Sequence, residues 1–109
     1  MAISHAASGQ LVDVQPLADQ LTEARTTALF KTGMLEVMRV VLPAHKTVPA
    51  HQVRGDLTIH CLEGEIELMA HGQTQRMKAG QLVWLAGGVD HALTALQDSS
   101  LLVTLVLQK

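Results

Sequence analysis

At 109 residues, with 48% apolar and only 17% charged side chains, the chain has room for one core and one domain. Its net charge of −2 and singly scattered Lys and Arg form no basic stripe for phosphates, and Phe30 and Trp84 are too few for a base-stacking platform, so no nucleic-acid partner is expected. The longest apolar run, Leu101 to Leu107 broken by Thr104, is far too short to cross a membrane.

The opening Met1-Ala2-Ile3-Ser4-His5 lacks a cationic region followed by an apolar stretch, so it does not read as a signal peptide. A single cysteine, Cys61, allows no internal disulfide and fits a reducing compartment, so a cytoplasmic protein is expected. Residues 1–24 read as a leader with a short helical turn, because Leu17 and Leu21 are four apart behind Pro16. Residues 25–109 read as the folded β domain. Arg25 to Lys31 alternates as a strand, and Lys31-Thr32-Gly33 is a turn in which Gly33 is free to take positive φ. Met34 to Leu42 returns as a longer strand with Leu35, Val37, Arg39 and Val41 on one face, and Pro43 ends it.

Beyond Pro49 the strands shorten. Leu57–Leu62, Glu65–Ala70, Thr74–Met77, Leu82–Leu85, Ala92–Leu96 and Leu101–Leu107 are separated by turns at Glu63-Gly64, His71-Gly72-Gln73, Lys78-Ala79-Gly80, Ala86-Gly87-Gly88 and Gln97-Asp98-Ser99-Ser100. Many short strands at intervals of about 8–12 residues argue a β-sandwich or barrel, and a barrel hides its edges.

These residues resemble a small single-domain cupin, over roughly residues 25–107. The family's first motif is G-x5-H-x-H-x3-4-E-x6-G. Here His51 takes its first histidine and Gly64 its last glycine, while His45 stands at the first glycine, Val53 at the second histidine and Leu57 at the glutamate. The second motif, G-x5-P-x-G-x2-H-x3-N, is matched by Gly80, Gly88 and His91, with Ala86 at the proline and Ala95 at the asparagine. The resemblance implies an all-β, RmlC-like double-stranded β-helix, or jelly-roll barrel. It also implies a divalent-metal site of which only His51 and His91 remain, and a homodimer.

The expected ligand pocket is lined by His51, His91, Val53, Leu57, Cys61 and Trp84. A catalytic metal usually needs three protein ligands, and non-haem iron takes two histidines and a carboxylate. Asp56 and His60 are the nearby candidates for a third. If Leu57 faces inward, as the family's glutamate does, then Ile59 and Cys61 do too, and Asp56 and His60 face outward unless a bulge near Arg54-Gly55 re-aims Asp56. Asp90 reads as turn chemistry or as an orienter of His91. Arg39 reads either as an internal grip on a carboxylate or as a snorkelling rim residue.

Three functions stay open. One is a small-molecule-binding module without a complete metal site. The second is a metal-dependent enzyme of the dioxygenase or isomerase class, holding iron, manganese, nickel or zinc through His51 and His91. The third is metal-free acid–base catalysis by one of those imidazoles.

Overall fold

The computed structural model describes residues 5–107. Nine strands follow one another: β1 (Thr27–Lys31), β2 (Leu35–Leu42), β3 (Thr47–His51), β4 (Leu57–Glu63), β5 (Glu65–Ala70), β6 (Gln73–Lys78), β7 (Leu82–Leu85), β8 (His91–Ala95) and β9 (Ser99–Val106). They form a five-stranded sheet in the order β1-β2-β9-β4-β7 and a four-stranded sheet in the order β3-β8-β5-β6, with every pairing antiparallel. This is the expected all-β jelly roll. The two inner faces meet in one apolar core of Leu42, Leu57, Ile59, Cys61, Ile66, Leu68, Ala70, Met77, Leu85, Leu93, Ala95 and Leu101. A short 3₁₀ helix, Ala18–Glu23, precedes the strands.

Alternation explains the core. In β4 the odd positions Leu57, Ile59 and Cys61 are buried while Thr58 and His60 are half-buried on the other face. The register carries that parity across the sheet. Val37, Thr104, Thr58 and Trp84 form one outward row, and Arg39, Leu102, His60 and Leu82 form the next.

Several turns differ from expectation in their chemistry. Gly33 does not take positive φ. The β1–β2 turn is closed instead by the Thr32 hydroxyl, which accepts the N–H groups of Met34 and Leu35 at 3.0 Å each. The β5–β6 hairpin has both central residues at positive φ, His71 at 54° and Gly72 at 72°, the geometry of a two-residue type I′ turn. Thr47–His51 is a strand that the alternation did not reveal, because it contains Pro49. Proline is tolerated there because β3 is an edge strand and Pro49 falls in a bulge between Val48 and His51. Ser99 and Ser100, read as turn residues, open β9 and are fully buried. The Ser99 hydroxyl accepts the Glu65 N–H at 3.1 Å and donates to the Gln97 carbonyl at 2.8 Å.

Gly64 joins β4 to β5 at φ 84°, and a Cβ there would overlap the Ser99 side chain and the Asp98 carbonyl. Gly72 has similar φ with open space around it. Gly64→Ala should therefore cost about 3 kcal/mol, through strain and overlap together, whereas Gly72→Ala should cost only about 1 kcal/mol. Urea midpoints of the two variants check the contrast.

Candidate functional site

His91 begins β8, opposite Ala70 of β5, on the inner face that carries Leu93 and Ala95. His51 ends β3. The ladder pairs Val48 with Leu93 and then His51 with His91, so three steps along β3 match two along β8. Without that extra residue Ala50 would sit opposite His91, and His51 would face the other way. The bulge at Pro49-Ala50 thus brings the two imidazoles to the same end of the sandwich. Their ring centroids are 4.4 Å apart with planes tilted by 55°. His91 is buried, whereas His51 is exposed above it.

Each ring is tied to its own chain. His91 Nδ1 lies 3.0 Å from the Val89 carbonyl oxygen, and His51 Nδ1 lies 3.2 Å from that of Pro49. A carbonyl oxygen only accepts, so both Nδ1 atoms donate. In the neutral rings the Nε2 atoms are then left as acceptors or ligands. Two such nitrogens on neighbouring rings are a polar feature in an otherwise aliphatic inner face.

Residues 38–107 match the model of the family described as the cupin domain. The chain belongs to the cupin family. Similar solved structures include a conserved protein of unknown function from Streptococcus pyogenes, with TM-score 0.74 and 20% identity over 100% of this chain and 96% of that one. A cupin superfamily protein from Desulfitobacterium hafniense gives TM-score 0.77 and 17% identity over 90% and 95%. KdgF from Halomonas sp. gives 0.72 and 19% over 77% and 80%. At such identities the likeness is one of fold. No curated protein matches the chain.

The cupin motif places its metal ligands at His51, Val53, Leu57 and His91. His51 and His91 meet. Val53 is half-buried and packs against the core, and Leu57 is buried within it. Neither Asp56 nor His60 supplies the missing ligand. The Asp56 carboxylate is exposed and accepts the Gly87 N–H at 3.0 Å, and His60 lies on the outward row with Leu82 and Leu102. No group of three His, Cys, Asp or Glu able to hold a metal occurs among the described residues. Two imidazoles alone do not fit the three- or four-ligand centre of a metal-bearing cupin. One departure from the motif leaves a mark on the backbone. His45, at the family's glycine position, takes φ 72° in an exposed turn.

A cavity of about 590 Å³ opens beside His91, bounded by Ala50 and Val89–Ala92 on one side and by the β5–β6 hairpin from Met69 to Thr74 on the other. Of the six residues expected to line a pocket, His91 alone bounds this cavity; His51 sits against His91, and Val53 lies with Gln52, Arg54, Gly87 and Gly88. Leu57 and Cys61 are interior packing, and the residues bounding this cavity include neither. Trp84 is 64% exposed on the outer face of β7, because it pairs with Thr58 and so takes the parity opposite to Leu57. Asp90 is exposed and borders the cavity.

Cys61 is fully buried, and burial pushes its thiol pKa up more than its hydrogen bond to the Glu63 carbonyl lowers it. A protonated, enclosed thiol is a poor nucleophile. Cys61 should therefore resist aromatic disulfide reagents in native buffer and react fully in denaturant, which a colorimetric thiol assay would record. The burial difference predicts that His91→Ala costs about 1–2 kcal/mol of stability while His51→Ala stays within about 0.5 kcal/mol, as chemical denaturation would measure.

Proposed function

We propose that this cupin binds a small molecule at the open end of the sandwich, in the cavity bounded by His91, with the paired imidazoles as its polar anchor. The observation that carries the reading is the His51–His91 contact at 4.4 Å, with both Nδ1 atoms committed to backbone carbonyls. His91 bounds a cavity walled by Ala50, Met69, Ala70, Val89 and Ala92, with Gln73, Thr74 and Asp90 as further polar groups, and His51 adds a second imidazole against the His91 ring. Mostly apolar pockets with a few convergent polar groups are the usual form of small-ligand sites. The chemistry favours a compact ligand with an apolar body and hydroxyl donors for the imidazoles. With two nitrogens and no third ligand among the described residues, the site does not fit a catalytic metal.

The test is a ligand-observed NMR screen of hydroxylated small molecules against their deoxygenated analogues, with and without chelator. Binding that prefers the hydroxylated member, survives chelator and weakens about tenfold or more in His51→Ala and His91→Ala supports the reading. Affinity abolished by chelator, with stoichiometric metal found by elemental analysis, would replace it with the metal-enzyme reading.

Leu82 and Trp84, 67% and 64% exposed, share the outer face of the five-stranded sheet with Leu102 and Thr104. Covering such a face with a second copy would remove apolar surface from water, so we infer a homodimer. Trp84→Lys with Leu82→Glu should yield a monomer in light scattering after size exclusion. The lone buried thiol of Cys61 fits a cytoplasmic protein.

A further inference from the structure

The outer face of β2 is covered, unlike that of β7. Val37 and Arg39 point away from the core and are nevertheless buried. The segment before β1 lies over Arg39, whose Nη2 donates a hydrogen bond to the Gln15 carbonyl at 2.9 Å, and Leu21 of that segment is buried. Beside that bond and the Ala6 N–H to Leu29 carbonyl bond at 2.9 Å, this strap's densest polar anchor is a single carboxylate, which takes two of its N–H groups. The register of β4 on β9 slips between Cys61 and Glu63, so Glu63 lies opposite Ser100. Continued alternation would have put Glu63 inside with Leu57, Ile59 and Cys61. The extra residue turns it outward instead.

There it enters a small anion nest. Leu17 has φ −83° and ψ −16°, and Ala18 has φ 53°. This right-handed then left-handed pair aims successive N–H groups at one point. Leu17 N–H donates to Glu63 Oε2 at 2.9 Å and Ala18 N–H to Oε1 at 3.0 Å. The Ser100 hydroxyl donates to Oε2. Arg39 Nη1 lies 3.9 Å from Oε2, near enough for attraction and too far for a hydrogen bond, and it is buried without a partner. Left-handed φ is unfavourable for alanine, by about 1 kcal/mol, so the strap adopts it in return for the carboxylate.

We propose that Glu63 is a latch: its ionised carboxylate clamps the N-terminal strap onto the five-stranded sheet, and neutralising it frees the strap while the sandwich stays folded. Release uncovers Val37, Arg39 and Val41, and extends the exposed outer face from β7 across to β2. A cavity of about 150 Å³ between Leu21, Thr22 and Ala24 on the strap side and Val41, Leu42, Pro43 and Asp98 below means that apolar packing under the strap is incomplete. The carboxylate therefore bears much of the attachment.

The direction of the pH response follows from the surroundings. Burial by itself would raise the Glu63 pKa. The Leu17 N–H, the Ser100 hydroxyl, the Ala18 N–H and the Arg39 charge outweigh it and hold the carboxyl below the ordinary carboxylate value. The other ionisable groups nearby are Cys61 on the same strand and Glu65 on β5. Asp98 is bound to the Ala44 N–H, and Asp19 is exposed on the strap. A depressed carboxylate stabilises the latched form fully above its ordinary value, and that contribution is lost as pH falls through the lowered folded value.

Amide NMR on the intact chain tests the latch. In the wild type, Leu17 and Ala18 amide shifts should titrate together below the ordinary carboxylate range, with strap resonances becoming mobile while those of β5 and β8 hold. In Glu63→Gln the same two amides should lose about tenfold or more of their exchange protection at neutral pH, with β5 and β8 unchanged. Strap amides that stay protected in Glu63→Gln, or that move in the wild type only when the whole domain unfolds, overturn the proposal. The wild-type titration decides the matter if Glu63→Gln is too unstable to purify.

Discussion

Strict alternation of side chains along a strand is the constraint from which this molecule is built, and its chemistry sits where alternation is broken. In β4, parity places Leu57, Ile59 and Cys61 in the core and leaves Thr58 and His60 on the opposite face. The same parity, carried by register, places Trp84 and Leu82 outside. Two slips of register then re-aim two polar side chains. One at Pro49-Ala50 swings His51 inward to His91, and one before Glu63 swings its carboxylate outward to the strap. Without the first, the imidazoles would lie on opposite sides of a sheet. Without the second, a carboxylate would be buried among aliphatic side chains with no donor, a costly arrangement.

The two re-aimed groups also differ in how they are satisfied. The histidines use short-range contacts: each Nδ1 reaches a carbonyl two residues earlier in its own chain. This fixes the rings without involving another element and leaves their far nitrogens for something outside the chain. Glu63 does the reverse. Its partners come from the strap, from β2 and from β9. It joins segments distant in sequence and has little capacity left for an external ligand. The first arrangement suits recognition and the second suits attachment.

Replacing two motif ligands by Val53 and Leu57 has a structural benefit as well as a chemical cost. A metal centre requires polar side chains to converge inside a sandwich whose interior is otherwise close-packed and apolar. Here Leu57 joins the core outright and Val53 packs on its edge. The open end therefore keeps a polar rim, His51 and His91, over an apolar interior, and the cavity lies beside the rim instead of within the sandwich.

Much of the fold was legible in the chain itself. Period-two apolar patterning located β2, β4, β5 and β7 almost to the residue. Glycines marked the β4–β5 and β5–β6 turns, and the Gly80, Gly88 and His91 spacing carried the family. Those signals are local, because strand alternation and positive φ are properties of a few adjacent residues. The inward parity of Cys61 and the outward parity of His60 followed from the same rule. The meeting of His51 with His91 was implied by the motif, but the register slip that brings it about, exposure of Trp84, burial of Ser100 and the capture of Glu63 by Leu17 and Ala18 were decided only in three dimensions. Each depends on which strand lies next to which, and on a single inserted residue in the ladder. Composition does not fix where a bulge falls, yet a bulge inverts the facing of every side chain beyond it.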